Sequence, residues 1–273
     1  MAMPSDDDYR YLRAVVFRGS QNLLDPSCDV LFEMRLAGLL RAQRVNGLPQ
    51  LVRRLRLMND PKLEQAVAEA MTIKETSFFR DSRTFALLRR KLLPELAEAR
   101  RTSRTLRLWS AACSTGQEAF SLAILLREQL GQDGAWSLRV DGTDISSDAI
   151  DRASRGAFDR IEMTRGLEEP QLTRYFEQAG EQWIARPSIR RLCRFRRANL
   201  CQEALPFRER FDLILLRNVM LYFLQETRQT VLARVHRMLA PDGILLLGSA
   251  EQPPPSSLWS ASLAFGACYY RPQ

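Results

Sequence analysis

Hydrophobic and polar positions along the chain follow two different patterns. From about residue 8 to residue 70, apolar residues recur at helical spacing and no clear strand is present. Alternating strand and helix signals begin near residue 105, which is typical of a parallel sheet covered by helices. We therefore predict two domains, a helical domain over residues 1–72 and an α/β domain over residues 73–273.

The segment from Leu106 to Leu126, LRLWSAACSTGQEAFSLAILL, is the most informative part of the chain. An apolar strand leads into a loop of small residues and then into an amphipathic helix, and small residues let a ligand approach the backbone closely. A second strand ends at Asp144, where the strand–loop–helix–strand scheme of nucleotide sites places a ribose-binding acid. This spacing predicts a cofactor that contains adenosine, with an ordinary buried strand–loop–helix as the alternative.

The loop also indicates which adenosine cofactor is bound. Phosphate-bearing cofactors need several glycines or a lysine-containing cradle, whereas this loop has one glycine, Gly116, and no lysine. S-adenosylmethionine carries a ribose and a sulfonium but no phosphate. The loop therefore favours S-adenosylmethionine.

The sheet is predicted to be interrupted by an insertion. The stretch from Phe158 to Arg197 does not continue the strand–helix alternation, and within it Trp183–Arg186 and Leu192–Arg196 alternate apolar and basic residues. That alternation predicts a short antiparallel hairpin with one exposed basic face. Buried parallel strands resume at Phe211–Leu216 and, after a Pro-Asp-Gly turn, at Gly243–Leu247.

Composition and charge narrow the classes of function. With 45% hydrophobic and 26% charged residues, no apolar run long enough to span a membrane and an acidic start, the chain is expected to be cytoplasmic. The five cysteines are scattered and contain no CxxC, so neither a disulfide framework nor a metal site is expected.

Residues Arg35 to Arg56 contain six arginines and no acid, which predicts an acidic partner. A solvated basic face, or a partner with a phosphate backbone, is an alternative.

The chain has one histidine, His236, in a helical stretch where we expect a surface or packing role. Catalysis by Ser-His-Asp, Cys-His or multi-histidine metal sites is therefore disfavoured. Methyl transfer to a carboxylate suits such a chain, because the carboxylate is already ionised at neutral pH and needs no base.

Four motifs carry a resemblance to a known family. In order they are TSFFRD at Thr76–Asp81, WSAACSTGQE at Trp109–Glu118, TDIS at Thr143–Ser146 and RNVMLYF at Arg217–Phe223. Together they resemble the chemotaxis receptor methyltransferases of bacteria, the CheR family, over nearly the whole chain. The resemblance implies a doubly wound, Rossmann-like S-adenosylmethionine-binding domain, preceded by a helical domain and carrying a small antiparallel β-subdomain inserted at about residues 160–197.

The resemblance also implies a reaction and a partner. The substrates of the family are glutamates on cytoplasmic helices of chemoreceptors, which become γ-methyl esters while S-adenosylmethionine becomes S-adenosylhomocysteine. The basic Arg35–Arg56 segment is a candidate contact for these acidic helices, and a monomer is the expected state. The inserted hairpin lacks the glycine-rich loop of members that bind a C-terminal receptor pentapeptide, having Ala179-Gly180-Glu181 instead. We therefore expect activity without that tether.

The resemblance also assigns site residues, according to their positions in the four motifs and the segments around them. The catalytic candidates are Arg80, which would orient a carboxylate, and Tyr222, near the transferred methyl group. The cofactor-binding candidates are Lys74, Thr76, Arg80, Ala112, Glu118, Asp144, Asn199, Leu200, Arg217 and Asn218. Lys74, Gln117, Ala119-Phe120 and Gly248-Ser249 depart from the usual family residues.

Simpler roles compete with some of these assignments. Arg80 could form a surface ion pair with Asp81 or Glu75, Tyr222 could be a core aromatic, and Asn218 could be a turn residue. Cys113 is expected to fill the loop rather than act as a nucleophile.

Two other functions stay open at this point. The net charge of +8 is compatible with a nucleic-acid methyltransferase, although Arg217–Met220 is unlike the Asn/Asp-Pro-Pro-Tyr type of site used for amines. A non-enzymatic signalling module that only binds the cofactor is the other.

Overall fold

The structure is a computed structural model that describes residues 3–131, 134–255 and 258–273. It divides into two compact units. The first unit runs through Ile73 and includes Tyr222–Arg228, and the second contains Lys74–Leu221 and Gln229–Gln273. Residues 1 and 2, at the start of the predicted helical domain, lie outside the described residues.

The first unit contains the predicted helices. They are α1 (Asp6–Ser20), α2 (Val30–Gln43), α3 (Leu48–Met58) and α4 (Pro61–Ala70), with a 3₁₀ turn at Pro26–Cys28. Capping explains where two of them begin: Ser5 and Asp8 form a capping box at α1, and the Asp60 side chain accepts from the first turn of α4. Phe32, Leu36 and Leu51 are fully buried in a core of their own. The prediction of a helical N-terminal region is therefore confirmed.

The second unit is organised around a seven-stranded sheet in the order β6-β2-β1-β7-β8-β10-β9. Its strands are β1 (Thr105–Ala111), β2 (Ser137–Asp144), β6 (Cys193–Arg197), β7 (Phe211–Leu216), β8 (Leu239–Leu247), β9 (Trp259–Ala264) and β10 (Ala267–Pro272). The first five are parallel to one another, and β10 and β9 complete the sheet as a hairpin in which β10 runs antiparallel to β8. A second, antiparallel sheet contains β3 (Ala157–Asp159), β5 (Gln182–Ala185) and β4 (Phe176–Ala179).

Helices connect and cover these strands. They are α5 (Ser82–Leu87), α6 (Leu93–Ala99), α7 (Gln117–Leu130), α8 (Ser147–Arg155), α9 (Arg160–Met163), α10 (Glu169–Tyr175), α11 (Pro187–Arg190) and α12 (Gln225–Met238), with a π-helical segment, Leu88–Leu92, between α5 and α6. Every residue of β7 is buried, as expected for a central parallel strand covered on both faces. The predicted doubly wound α/β fold with a small antiparallel sheet is confirmed.

The predicted pairing of the inserted hairpin is wrong. Trp183–Arg186 falls largely in β5, which pairs with β3 and β4, whereas Leu192–Arg196 falls largely in β6, which runs parallel to β2 at the edge of the main sheet. Phe195 explains the placement of β6, because its ring lies directly over Gly142 of β2, where a Cβ would come within 2.5 Å. Apolar–basic alternation is the same in an edge strand and in a hairpin, so the pattern could not distinguish them.

Strand β8 also begins earlier than predicted. Leu239 already pairs with Phe211, and Ile244 pairs with Leu213, so the predicted Pro-Asp-Gly turn forms an irregularity within the strand.

No helix in the described residues is long and apolar enough to cross a membrane. His236 is a packing residue, with its ring edge-on to Trp259 at a centroid distance of 5.2 Å.

Candidate active site

The candidate site lies where the strand order of the main sheet reverses. From β1 the chain continues to β2 on one side, while β7 and β8 lie on the other side. In open α/β sheets, the crevice at the carboxyl ends of the strands beside this reversal is where ligands bind. Two motif segments lie at these ends, the loop from Ala112 to Gly116 after β1 and the turn from Arg217 to Met220 after β7.

The loop after β1 is anchored by Asp144. One carboxylate oxygen of Asp144 accepts the Ser114 N–H at 2.8 Å, and the other accepts the Ser146 N–H at 2.9 Å. The backbone at Ala112 (φ 60°) and Ser114 (φ 51°) is left-handed, a conformation that costs energy for residues other than glycine. Asp144 is only 9% exposed, and its carboxylate holds a strained loop as well as presenting oxygen atoms at the end of β2.

Arg217 is the centre of a buried ion-pair network. Its side chain is 2% exposed, and its Nη1 donates to Glu118 Oε2 at 2.9 Å. Its Nη2 donates to the carbonyl oxygen of Arg80 at 2.9 Å and lies 3.6 Å from Asp81 Oδ2. Glu118 in turn accepts from the Ser110 hydroxyl at 2.7 Å. Arg217 thus joins the start of α7 to the backbone of the Thr76–Asp81 motif.

The Thr76–Asp81 segment is held by packing and by backbone contacts. Phe78 is fully buried, with its ring edge-on to Phe158 and Phe176 at 5.0 and 5.5 Å. The Phe79 N–H donates to the Ser121 hydroxyl at 2.9 Å, and the left-handed φ angles at Phe79 (47°) and Asp81 (68°) show that the segment turns sharply. The backbone around Arg80 is therefore fixed independently of its side chain.

The Arg80 guanidinium donates to the Glu75 carbonyl oxygen at 3.0 Å. Across the described residues it has no carboxylate partner, since the Asp81 carboxylate accepts from Thr84 at 2.8 Å and Glu75 lies 3.4 Å from Arg165. The alternative interpretation, a surface ion pair of Arg80 with Asp81 or Glu75, is not what the structure contains.

Glu251 is a residue of this region to which the sequence analysis assigned no role. Its Oε2 accepts the N–H groups of Gly248 at 2.8 Å and Asn218 at 2.6 Å. Its Oε1 accepts those of Val219 at 3.0 Å and Met220 at 2.8 Å. One carboxylate therefore shapes the turn after β7, in which Asn218 is left-handed (φ 57°).

A sequence signal for Glu251 existed. An acid soon after an apolar strand, at the carboxyl edge of a sheet, is a candidate acceptor for neighbouring turns. A Cβ at Gly248 would lie 2.5 Å from Glu251 Oε2, so the glycine is needed for the close approach. The partners of the carboxylate in the turn after β7 could not be read from the pattern.

The remaining predicted residues are placed as follows. Lys74 Nζ lies 3.2 Å from Asp148, and the Lys74 carbonyl oxygen accepts from the Ser114 hydroxyl at 2.8 Å. Asn199 Oδ1 accepts the Cys201 N–H at 2.9 Å. Thr76 is half-buried and Leu200 is buried.

Tyr222 belongs to the first unit, where its carbonyl oxygen accepts the Leu23 N–H at 2.9 Å. Its catalytic role stays a prediction.

Burial raises the pKa of the Cys113 thiol well above its ordinary value, with the nearby carboxylates of Asp144 and Glu118 adding to the effect. The side chain is 1% exposed. A buried, protonated thiol is a poor nucleophile, which supports the prediction that Cys113 fills the loop.

The polar groups at this edge fit S-adenosylmethionine. A carboxylate at the end of β2 suits a ribose diol, and the loop after β1 has no lysine and only Gly116 to receive a phosphate. In addition, Arg217 Nε is buried and has no hydrogen-bond partner among the described residues. An unpaired buried donor at a cofactor crevice is a reason to expect a polar ligand atom or a water there.

The family model described as "CheR methyltransferase, SAM binding domain" matches residues 74–263. The chain belongs to the CheR methyltransferase family. Among its relatives are the chemotaxis protein methyltransferase 1 of Pseudomonas aeruginosa, 36% identical over 89% of both chains, and a chemotaxis protein methyltransferase of Pseudomonas putida, 33% identical over 89% of this chain and 90% of that one. Chemotaxis protein methyltransferase 1 of Vibrio cholerae is 34% identical over 90% of both chains.

Membership in the CheR family confirms the resemblance read from the four motifs and confirms S-adenosylmethionine as the cofactor. The matched domain covers the loop after β1, Asp144, the Arg217 network and Glu251. The chain is therefore an S-adenosylmethionine-dependent chemotaxis protein methyltransferase.

Proposed function

We propose that this protein transfers a methyl group to glutamate side chains on the cytoplasmic helices of bacterial chemoreceptors, giving γ-methyl esters. The observation that carries the proposal is the near full-length similarity to proteins named chemotaxis protein methyltransferases. The site chemistry agrees with it. The single histidine packs against Trp259, and an ionised carboxylate needs no base in order to react.

When bound, the cofactor would supply an electrophilic methyl group to a glutamate oxygen, with a C–O bond replacing the C–S bond, the electron pair staying on sulfur and no proton being moved. The protein then has to align the carboxylate with the methyl group and exclude water, because water stabilises the separated charges more than the transition state in which they neutralise each other. The rate enhancement should therefore depend on the side chains that position the acceptor carboxylate.

Arg80 is the proposed positioning cation. Its backbone is fixed by Arg217, while its guanidinium makes one hydrogen bond to a carbonyl oxygen and pairs with no acid in the described ranges. A guanidinium offers five N–H donors, so Arg80 keeps donors for a carboxylate. In this proposal Asp144 binds the ribose, Glu118 and Arg217 shape the crevice, and Tyr222 shapes the methyl site.

The Arg35–Arg56 segment is the proposed contact for the acidic receptor helices. Arg41, Arg44 and Arg53 are exposed and form no ion pair within the described residues. The other three arginines are engaged within the first unit: Arg56 with the Asp7 carboxylate at 2.6 Å, and Arg35 and Arg54 with backbone carbonyl oxygens. Charge complementarity with an acidic helix would chiefly speed association and lose strength as salt rises.

We also propose that the protein works without a receptor pentapeptide tether. Only Gly180 and Glu181 connect β4 to β5, so the small sheet has a minimal turn where a peptide-binding loop would extend. A titration of the free pentapeptide by calorimetry should show no binding, and measurable binding would refute this part.

The test of the main proposal is methyl transfer from labelled S-adenosylmethionine to cytoplasmic receptor fragments of the same organism, followed by mild alkali. We expect the label to leave as methanol, as a carboxyl methyl ester requires. Alkali-stable label would indicate a nitrogen acceptor, and the nucleic-acid alternative would then be tested by salt-sensitive binding. Cofactor binding without transfer to any fragment would refute the proposed substrate.

A further inference from the structure

A cavity of about 410 Å³ lies within the second unit, at the carboxyl end of β8. Its walls come from the start of α5, from the segment after β8 and from β10. We call it the β8 cavity and define it by Ser82, Arg83, Ser249, Gln252, Cys268 and Tyr270.

Several polar side chains of the β8 cavity are available for binding a ligand. Ser82, Arg83, Ser249 and Gln252 are all exposed, and none makes a side-chain hydrogen bond within the part of the chain that the structure describes. Four polar side chains that line one concave surface and have no protein partners keep their hydrogen-bonding groups for a ligand, and ligand sites combine a concave shape with a few placed polar groups.

The charges in the wall favour an anion. Two carboxylates line the cavity, but Glu251 accepts four backbone N–H groups and Asp81 is engaged by Thr84 and Arg217. Arg83 is the one cationic side chain among the lining residues, and no described acid lies within ion-pair distance of it. The cavity thus offers a guanidinium that suits a carboxylate.

The position of the cavity favours the acceptor side of the reaction. Along the sheet the order is β2, β1, β7, β8, with Asp144 at the end of β2 and the cavity at the end of β8. Asp144, the proposed ribose ligand, is therefore at the opposite side of the crevice from the cavity. Asp81 and Glu251 line the cavity and also contact Arg217 and the turn after β7, so an acceptor seated in the cavity would reach the candidate site from the side away from the ribose ligand.

We propose that the β8 cavity is an acceptor subsite in which Arg83 binds a second carboxylate of the acceptor protein, next to the one that is methylated. The proposal rests on the proposed function. On a helical acceptor, residues three or four positions apart lie about 5–6 Å from each other on one face. In this proposal the recognised carboxylate is the neighbour one helical turn from the modified glutamate, which makes Arg83 a specificity-determining residue.

The first experiment compares Arg83→Gln with Arg83→Lys in steady-state methylation of a receptor fragment. We expect Arg83→Gln to raise KM for the fragment about tenfold with kcat near wild type, while Arg83→Lys stays within about threefold, because a charge is retained. The matched control is Arg190→Gln, an exposed arginine on α11 without an ion pair among the described residues, which should behave as wild type.

Arg83 could instead bind the carboxylate of the cofactor, and two measurements separate these sources. The Kd for S-adenosylmethionine, measured by calorimetry, should be unchanged in Arg83→Gln. Changing the acceptor glutamate one turn away to glutamine should raise KM in wild type but add nothing in Arg83→Gln, since the two changes remove the same contact. A weakened cofactor Kd with an unchanged acceptor KM would overturn the proposal.

A second readout does not need turnover. Cys268 is exposed and lines the same cavity, so a saturating receptor fragment should slow its alkylation by iodoacetamide at least tenfold. S-adenosylmethionine alone should not slow it, and neither should a fragment whose glutamates have been changed to glutamine. The reaction is followed at Cys268 by peptide mass spectrometry.

The outcomes distinguish this inference from the proposed function. If wild type methylates the fragment, and Arg83→Gln has the same KM with no protection of Cys268, the acceptor subsite is wrong and the proposed function stands. If wild type binds S-adenosylmethionine but methylates no receptor fragment, the proposed function fails and the subsite fails with it.

Discussion

Replacing Glu251 by glutamine tests whether one carboxylate holds the turn after β7. Each oxygen of Glu251 accepts two backbone N–H groups, at distances of 2.6–3.0 Å. A glutamine in the same position keeps one oxygen and places an NH₂ group against two N–H donors. Either orientation of the amide therefore breaks two of the four hydrogen bonds and opposes donors to donors.

The expected cost follows from those two bonds. A hydrogen bond to a charged group contributes about 1.5–3 kcal/mol, and Glu251 is only 6% exposed, so water cannot readily replace the lost acceptor. The two bonds together predict a loss of about 3–6 kcal/mol if the turn stays in place. Since the turn can shift, we expect a value near the lower end, about 3 kcal/mol, which is still large for a single substitution.

Urea denaturation followed by circular dichroism measures the loss, and calorimetry with S-adenosylmethionine measures the effect on the site. The control is Glu98→Gln, because Glu98 has a 76% exposed side chain and a weak contact with Arg101 at 3.6 Å. It should change the free energy of unfolding by less than about 0.5 kcal/mol. If Glu251→Gln and Glu98→Gln have the same unfolding free energy, the carboxylate does not hold the turn and the reasoning is refuted.

Three further predictions concern the site. Arg80→Ala should lower kcat/KM for receptor methylation at least about a hundredfold without changing the urea midpoint, because the side chain makes one hydrogen bond within the described residues; normal turnover would remove its role. Asp144→Asn should weaken S-adenosylmethionine binding at least about tenfold in calorimetry, because its amide opposes the N–H of Ser114 or Ser146 and so releases the loop after β1; an unchanged Kd would show that this carboxylate does not hold the loop in its binding form. In native protein, iodoacetamide should label exposed Cys268 but leave Cys113 unmodified until the chain unfolds, because burial raises the pKa of the Cys113 thiol; mass spectrometry checks both, and rapid labelling of Cys113 would contradict its burial.

Local patterns were enough to predict the elements that meet at the candidate site. The β1–loop–α7 segment and the acid at the end of β2 are read from apolar runs, small residues and one spacing, all within about forty residues. Asp144 then accepts the N–H of Ser114, thirty positions away, so the predicted acid and the predicted loop meet directly.

Contacts between distant parts of the chain were not predictable in this way. Arg217 reaches Glu118 across 99 positions and the Arg80 carbonyl oxygen across 137, and the backbone partners of Glu251 in the turn after β7 are more than thirty positions away. The motifs placed Arg217 and Glu118 at the site but gave no sign that they pair with each other. The wrong hairpin pairing predicted for β6 has the same origin. The partner of a strand is set by packing, here of Phe195 over Gly142, and not by the alternation of apolar and basic residues within the strand.

The basic residues of β6 have a consequence for solubility. As the outer strand of the main sheet, β6 has no neighbouring strand on one side among the described residues, and such an edge can pair with the edge of another chain. Arg194 and Arg197 are exposed on this strand, so a second sheet that approaches it would have to desolvate two guanidinium groups. We therefore expect the alternating basic residues of β6 to oppose edge-to-edge aggregation. A variant that replaces both arginines with threonine should form β-rich aggregates at protein concentrations at which the natural chain stays in solution.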